Sequence, residues 1–216
     1  MTICIGELGE DPLVDRLTGL LTAGTKVVVG PGDDCAVVAG AGRGMVDLLK
    51  TDCLVEGVHY TSDAPAGQVG WKAVARVVSD FAAMGAEPRH LLITIALPPE
   101  REVTWVEKLY RGMDKCAVQF GAAIVGGETS SLPPGTPGMI SVAATGTAPR
   151  RRIVLRSGGR AGDAIFVTGR LGGSLSGRHL KFVPRVCEAL WLSDRFRILA
   201  MMDLSDGLAK DLPRLA

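Results

Sequence analysis

Apolar residues follow two rhythms along this chain, and the switches between them mark its elements. After Asp11-Pro12, the residues Leu13, Val14, Leu17, Leu20 and Leu21 recur at helical spacing, so 12–21 is read as a helix with proline in its first turn. Short apolar runs broken by turn formers come next: 26–29 leads into Gly30-Pro31-Gly32, 35–39 resumes, and 45–51 runs extended into Asp52. Nearly every position of 69–84 is apolar, which predicts a largely buried helix capped at Gly85 and holding Asp80 near the core. Residues 91–97 read as a strand closed by Pro98-Pro99, and 103–120 as an amphipathic helix. A short buried strand at 122–125 is expected to deliver Gly126-Gly127-Glu128 at its C-terminal end, where α/β proteins bind ligands. A strand at 139–146 precedes the basic run Arg150-Arg151-Arg152, and composition shifts between 147 and 163. The pattern then restarts with a strand at 164–168, a Gly-rich loop, a helix at 184–192, a strand at 199–202 and a helix from Leu208. This divides the chain into a domain over 1–150 and the start of a second over 151–216, too short to close a core of its own.

Composition narrows the partners. The 216 residues are 47% hydrophobic, enough for one sizeable core. Lys and Arg number 24 against 23 Asp and Glu, a net charge of +1, which removes any global electrostatic case for nucleic acid or an anionic membrane. No apolar stretch reaches the roughly 20 residues that span a bilayer, and the first residues lack a basic start followed by an apolar signal region. A cytoplasmic protein with a small-molecule partner is expected. Cys4, Cys35, Cys53, Cys116 and Cys187 are widely spaced without a Cys-x-x-Cys pair, so they read as reduced core residues rather than zinc ligands or disulfides. Trp71, Trp105 and Trp191 read as core or interface anchors.

The acids change the picture further, because they come in clusters: Gly32-Asp33-Asp34, Thr51-Asp52 with Glu56 and His59 following, Ser79-Asp80, Gly126-Gly127-Glu128-Thr129, and Asp203-Leu204-Ser205-Asp206-Gly207. Each follows an apolar run and sits beside Gly, Ser or Thr, whereas a solvated acidic face would mix acids with Lys at helical spacing. Hard cations take oxygen ligands and small neighbours let phosphate approach, so the pattern points to a magnesium–polyphosphate site. Adjacent carboxylates in a tight turn repel unless water or a cation screens them. Asp34, Asp52, Asp80, Glu128, Asp203 and Asp206 are the candidate ligands. His59 is either a strand-end histidine bonded to the backbone or a charged donor to a substrate phosphate. His90 and His179 read as structural or exposed. Gly169-Arg170-Leu171-Gly172-Gly173-Ser174 lacks both the P-loop ending and the dinucleotide spacing. Arg150, Arg151, Arg152 and Arg156 read as a solvated linker from which one Arg could reach a phosphate.

In this order the clusters resemble those of the thiamine-monophosphate kinases, in the superfamily that includes aminoimidazole ribonucleotide synthetase and selenophosphate synthetase. The likeness rests on Gly32–Ala36, Thr51–Tyr60 with its Glu-Gly-Val-His core, Ser79-Asp80-Phe81-Ala82-Ala83-Met84-Gly85-Ala86, Gly126–Thr129, Leu155-Arg156-Ser157-Gly158, Val167-Thr168-Gly169 and Asp203–Leu208. It implies an α+β fold: an aminoimidazole ribonucleotide synthetase-like α/β domain whose mixed sheet pairs with that of a second subunit into a barrel, followed by an incomplete C-terminal α/β domain. It further implies ATP-dependent phosphorylation of thiamine monophosphate in a homodimer, with several Mg2+ ions and no protein nucleophile. By position, Asp34, Thr51, Asp52, Asp80, Glu128, Asp203 and Asp206 would hold the metal; Gly127, Glu128, Arg156 and Ser205 would contact ATP, and His59 the substrate. Glu128 stands where the kinases usually carry Asp, and Lys50 where they often carry a small hydroxyl residue. The family's later Gly-Gly-Glu-Asp-Tyr-Glu segment is not found, which implies a C-terminally truncated copy. An aminoimidazole ribonucleotide synthetase-like enzyme and a non-catalytic nucleotide-binding or dimerisation remnant stay open as alternatives.

Overall fold

The computed structural model describes residues 5–21, 25–40 and 42–215. Two short helices, α1 (Ile5–Leu8) and α2 (Glu10–Thr18), open the chain. The second realises the expected helix, but its apolar stripe lies outside the core: Val14 and Leu17 are about half exposed, and Leu20 and Leu21 beyond it more so.

Among the described residues, six strands form one mixed, open sheet: β1 (Val27–Val29), β2 (Ala36–Ala39), β3 (Met45–Val55), β4 (Glu87–Leu97), β5 (Ala123–Ser131) and β6 (Met139–Pro149), in the order β1-β2-β3-β6-β4-β5. Strands β4 and β5 run parallel and the other neighbours antiparallel. Period-two alternation gives the sheet two unlike faces. Val46, Leu48 and Leu54 of β3, Leu91 and Ile93 of β4, and Ile140, Val142 and Ala144 of β6 are buried on one face. That face meets α3 (Ala66–Ala83), on which α4 (Val103–Gln119) packs in turn. The opposite face carries Leu49, Leu92 and Met139, all exposed.

Helix α3 is the core of this layer because it is apolar almost all round; Val69, Val74, Val77, Val78 and Phe81 are fully buried. It ends as expected at Gly85, whose φ of +69° suits the left-handed residue of a Schellman motif. The Gly85 N–H bonds Ala82 O at 3.0 Å and the Ala86 N–H bonds Phe81 O at 2.9 Å. Farther on, α5 (Val186–Arg195) packs on α3 and buries Val186 and Ala189 in the same cluster, and α6 (Leu208–Asp211) runs into a short 3-10 turn.

Several expectations need correction. The short buried strand at 122–125 is a nine-residue strand, mostly exposed, at the sheet edge, and Gly126-Gly127-Glu128 lie inside it rather than in a loop after it. Its polar Glu-Thr-Ser-Ser half hid the strand, although the parallel ladder to β4 supplies the pairing that propensity lacks. Residues 164–168 and 199–202 are not strands. Neither has a strand neighbour among the described residues, and an unpaired extended run is not a sheet. Of the cysteines, Cys35 and Cys116 are buried thiols, but Cys53 and Cys187 are exposed; Cys53 points to the open face of β3. Cys4 lies outside the described residues. Among those residues no helix is long and apolar enough to cross a membrane.

Candidate functional site

Three segments far apart in sequence deliver three carboxylates to one place. Asp34 follows the Gly30–Gly32 turn, Asp80 sits in the last turns of α3, and Asp203 lies in the loop before α6. One oxygen from each falls within 4.8 Å of the others. Asp34 and Asp80 are buried, and Asp203 is partly buried with a hydrogen bond from the Ser79 side chain. Burial, reinforced by the charge of Asp203, pushes the Asp80 carboxyl up to about 8, with Lys50 pulling the other way. Burial likewise raises Asp34 to about 6 against the pull of Arg156, and raises Asp203. Asp34 Oδ2 is buried with no hydrogen-bond partner. Crowded, desolvated carboxylates with an orphaned oxygen fit a hard divalent cation, which supplies the missing charge and takes oxygen ligands.

Two side-chain cations already touch these acids. Lys50 reaches from β3 to place Nζ 3.0 Å from Asp80 Oδ1 and 3.2 Å from the Asp34 carbonyl. The Arg156 guanidinium pairs with Asp34 Oδ1, while its backbone N–H bonds Asp33 Oδ2 at 3.0 Å.

Beside this centre runs a basic strip. Lys72, Arg76 and Asp80 are spaced four apart on α3 and so share one side of it. Arg76 pairs with Asp52 Oδ2 at 3.0 Å, and the second Asp52 oxygen accepts the Cys53 N–H at 2.7 Å. Lys72 is buried, its Nζ 2.5 Å from His59 O and 2.7 Å from His179 Nδ1, and burial with the nearby Arg76 lowers its pKa to about 8. His59 Nδ1 accepts the Val55 N–H at 2.9 Å, which leaves Nε2 as the protonated nitrogen of the neutral ring. Burial, Arg76 and Lys72 lower the His59 pKa, which favours the neutral ring; of the two readings of His59, the bond to the backbone is present, and the N–H left for a phosphate is at Nε2. Glu56 is tied elsewhere, its Oε2 accepting from Arg101 at 2.6 Å and from Gly138 N–H at 3.0 Å.

The loop carrying Asp203 is held by a carboxylate that sequence reasoning missed. Fully buried Asp211 accepts the N–H groups of Ser205, Asp206 and Gly207 on one oxygen, at 2.9, 2.9 and 3.0 Å. Asp206 is exposed and pairs with Lys210 at 2.7 Å. Ser205 is exposed too.

The structure thus brings together Asp34, Asp80, Asp203 and Arg156, and sets Asp52 and His59 along the adjoining strip. Thr51 points to the other face of β3 from Lys50 and Asp52. Gly127 shares a row with Ile93, Val142 and Asp52, three strands away from β3, or about 14 Å at the usual strand spacing. Glu128 is exposed on the open face of the same edge strand. Lys50, Lys72, Arg76, His179 and Asp211 were not foreseen. For Lys72 and Arg76 the signal was present: two cations four apart on a largely apolar helix, with Asp80 four residues further on.

Comparison with known proteins accords with this geometry. Residues 32–148 match the family described as AIR synthase related protein, N-terminal domain. The chain is 39% identical to the thiamine-monophosphate kinase of Rhodopirellula baltica over 95% of its own length and 66% of that protein's. It is 35% identical to the Synechococcus elongatus enzyme of the same name, covering 95% of this chain and 68% of that one. The structure described as AaThiL complexed with AMPPCP and TMP superposes with a TM-score of 0.89 at 33% identity, over all of this chain and 72% of that one. The chain therefore spans about two thirds of the length of the curated relatives it matches.

Proposed function

Since this chain belongs to the AIR synthase related family, and within it to the thiamine-monophosphate kinases, we propose that it serves the ATP-dependent phosphorylation of thiamine monophosphate to thiamine diphosphate. An oxygen of the acceptor phosphate attacks the γ-phosphorus of ATP, the bond to the β-phosphate oxygen breaks, and ADP leaves; the protein need only position the two anions and offset their charge. The observation that carries this reading is the convergence of the Asp34, Asp80 and Asp203 carboxylates, one of which, Asp34, keeps a buried oxygen without a hydrogen-bond partner.

These three residues would hold Mg2+, with Asp52, Thr51 and Asp206 as further candidate ligands. A bound ion there would neutralise phosphate charge. Arg156 is the residue assigned to ATP that lies closest to the acids; once a cation satisfies Asp34, its guanidinium is free to pair with a phosphate. Ser205 is assigned to the same ligand. Gly127 is assigned to ATP, and Glu128 to both ATP and Mg2+, from the edge strand β5. His59 donates from Nε2 to the monophosphate, next to the buried Lys72. The open face of the sheet supports a homodimer closed into a barrel, with a domain of residues 1–150 forming the shared core and 151–216 beginning a second. Balanced charge supports a cytoplasmic protein that works on small molecules rather than on nucleic acid or a membrane surface.

Chromatographic detection of thiamine diphosphate formed from thiamine monophosphate, ATP and Mg2+ tests the reading. Asp80→Asn should lower turnover about 10²-fold or more, because it removes charge that holds the cation. His59→Ala should instead raise KM for thiamine monophosphate while leaving that for ATP nearly unchanged. A folded protein that forms no thiamine diphosphate would overturn the proposal.

A further inference from the structure

Lys50 puts an ammonium where the acids converge. It is the basic residue of β3, facing inward between Leu48 and Asp52, with its backbone fixed opposite Ala144 of β6. Its side chain is 22% exposed and that of its partner Asp80 only 8%. Nζ lies 3.0 Å from Asp80 Oδ1 and 3.2 Å from the Asp34 carbonyl oxygen. A magnesium ion would need such oxygens at about 2.1 Å, so ion and ammonium compete for the same two atoms. Like charges at this range also repel strongly in a partly desolvated site. Arg156 acts on Asp34 Oδ1, but it hangs from a loop, whereas Lys50 is anchored mid-sheet and cannot withdraw with its backbone. Asp34 Oδ2, which has no hydrogen-bond partner, the second Asp80 oxygen and Asp203 remain to hold a divalent ion.

We propose that Lys50 is a resident cation of the acidic cluster: its ammonium occupies the place of one divalent ion, so the cluster takes one Mg2+ fewer than its carboxylates could otherwise hold. The inference rests on the reading of this cluster as a cation site. It gives the chain a metal-independent source of charge beside Asp80, which keeps the buried acids tolerable before any metal or nucleotide arrives.

Counting bound Mn2+ by the paramagnetic resonance of the free ion, without nucleotide, tests it on the whole chain. Lys50→Met and Lys50→Ala should each bind one more Mn2+ than the unaltered protein, or bind at the cluster at least about tenfold more tightly, because a neighbouring positive charge is gone. Lys50→Arg, which keeps the charge, should match the unaltered protein. Melting in EDTA supplies a second readout: the neutral variants should lose stability there and regain it with Mn2+. Equal count and affinity in all four proteins would overturn the role of Lys50 while leaving the cluster a metal site. Absence of Mn2+ binding in all four would instead remove the cation site itself. Neutral variants that stay unfolded even with Mn2+ would also count against the proposal, since a divalent ion then cannot replace the ammonium.

Discussion

Burial lifts the carboxyl of Asp80 to about 8 and that of Asp34 to about 6, so in the metal-free protein both hold their protons far above the ordinary carboxylate value of 3.8. The folded state therefore binds these protons more tightly than the unfolded chain does. Their contribution to stability is complete below about pH 4 and is lost as the pH rises through 6 and then 8. A divalent cation reverses the sign, because it binds the ionised form. In EDTA, the melting temperature of the protein relative to Asp80→Asn should fall between pH 5 and pH 8, and Mg2+ should restore it chiefly at pH 8. A difference between the two proteins that rises with pH in EDTA would contradict this account of the site.

Among the elements, helix α3 was the most legible. An apolar run bounded by glycine predicted its burial, its end at Gly85 and the position of Asp80, because burial pattern and cap chemistry agree there. Strand β5 was read too short, since its C-terminal half is polar and its pairing to β4 is invisible in local propensity. The cluster was legible as a set of acids but not in its membership. Asp34, Asp80 and Asp203 converge, while Glu128 stands on the edge strand β5, a place set by a sheet order that sequence spacing does not encode. Lys50 was noticed only as a departure from the family pattern, because whether a mid-strand lysine faces acids or solvent depends on what packs over the strand. Asp211 shows how an element end can govern the site: its three backbone hydrogen bonds fix the loop that presents Asp203. Asp211→Ala should cost about 1–3 kcal/mol, since three backbone N–H groups lose the buried acceptor they share, and should weaken Mn2+ binding. Denaturant unfolding and Mn2+ titration check both effects; full stability with unchanged metal affinity would show that the loop holds its shape without this carboxylate.

For the whole molecule, the decisive asymmetry is a sheet covered by α3 on one face and bare on the other. Leu49, Leu92 and Met139 are 44%, 50% and 37% exposed on strands that sit side by side in the middle of the sheet, a pattern that favours burial against a second surface. Sedimentation should therefore show a homodimer, and Leu92→Lys, placed on the bare face, should shift it to monomer with little change in the melt of the α3-covered core. A unaltered protein that sediments as a monomer at micromolar concentration would reject this interface. The same molecule concentrates its buried acids on the covered side, where a triphosphate could approach only if cations offset the repulsion. Calorimetric titration of ATP in Mg2+ and again in EDTA measures that dependence directly. Binding that requires Mg2+ and is lost in Asp80→Asn is the predicted result; binding of equal strength in EDTA would contradict the cation-bridged nucleotide site on which the kinase reading stands.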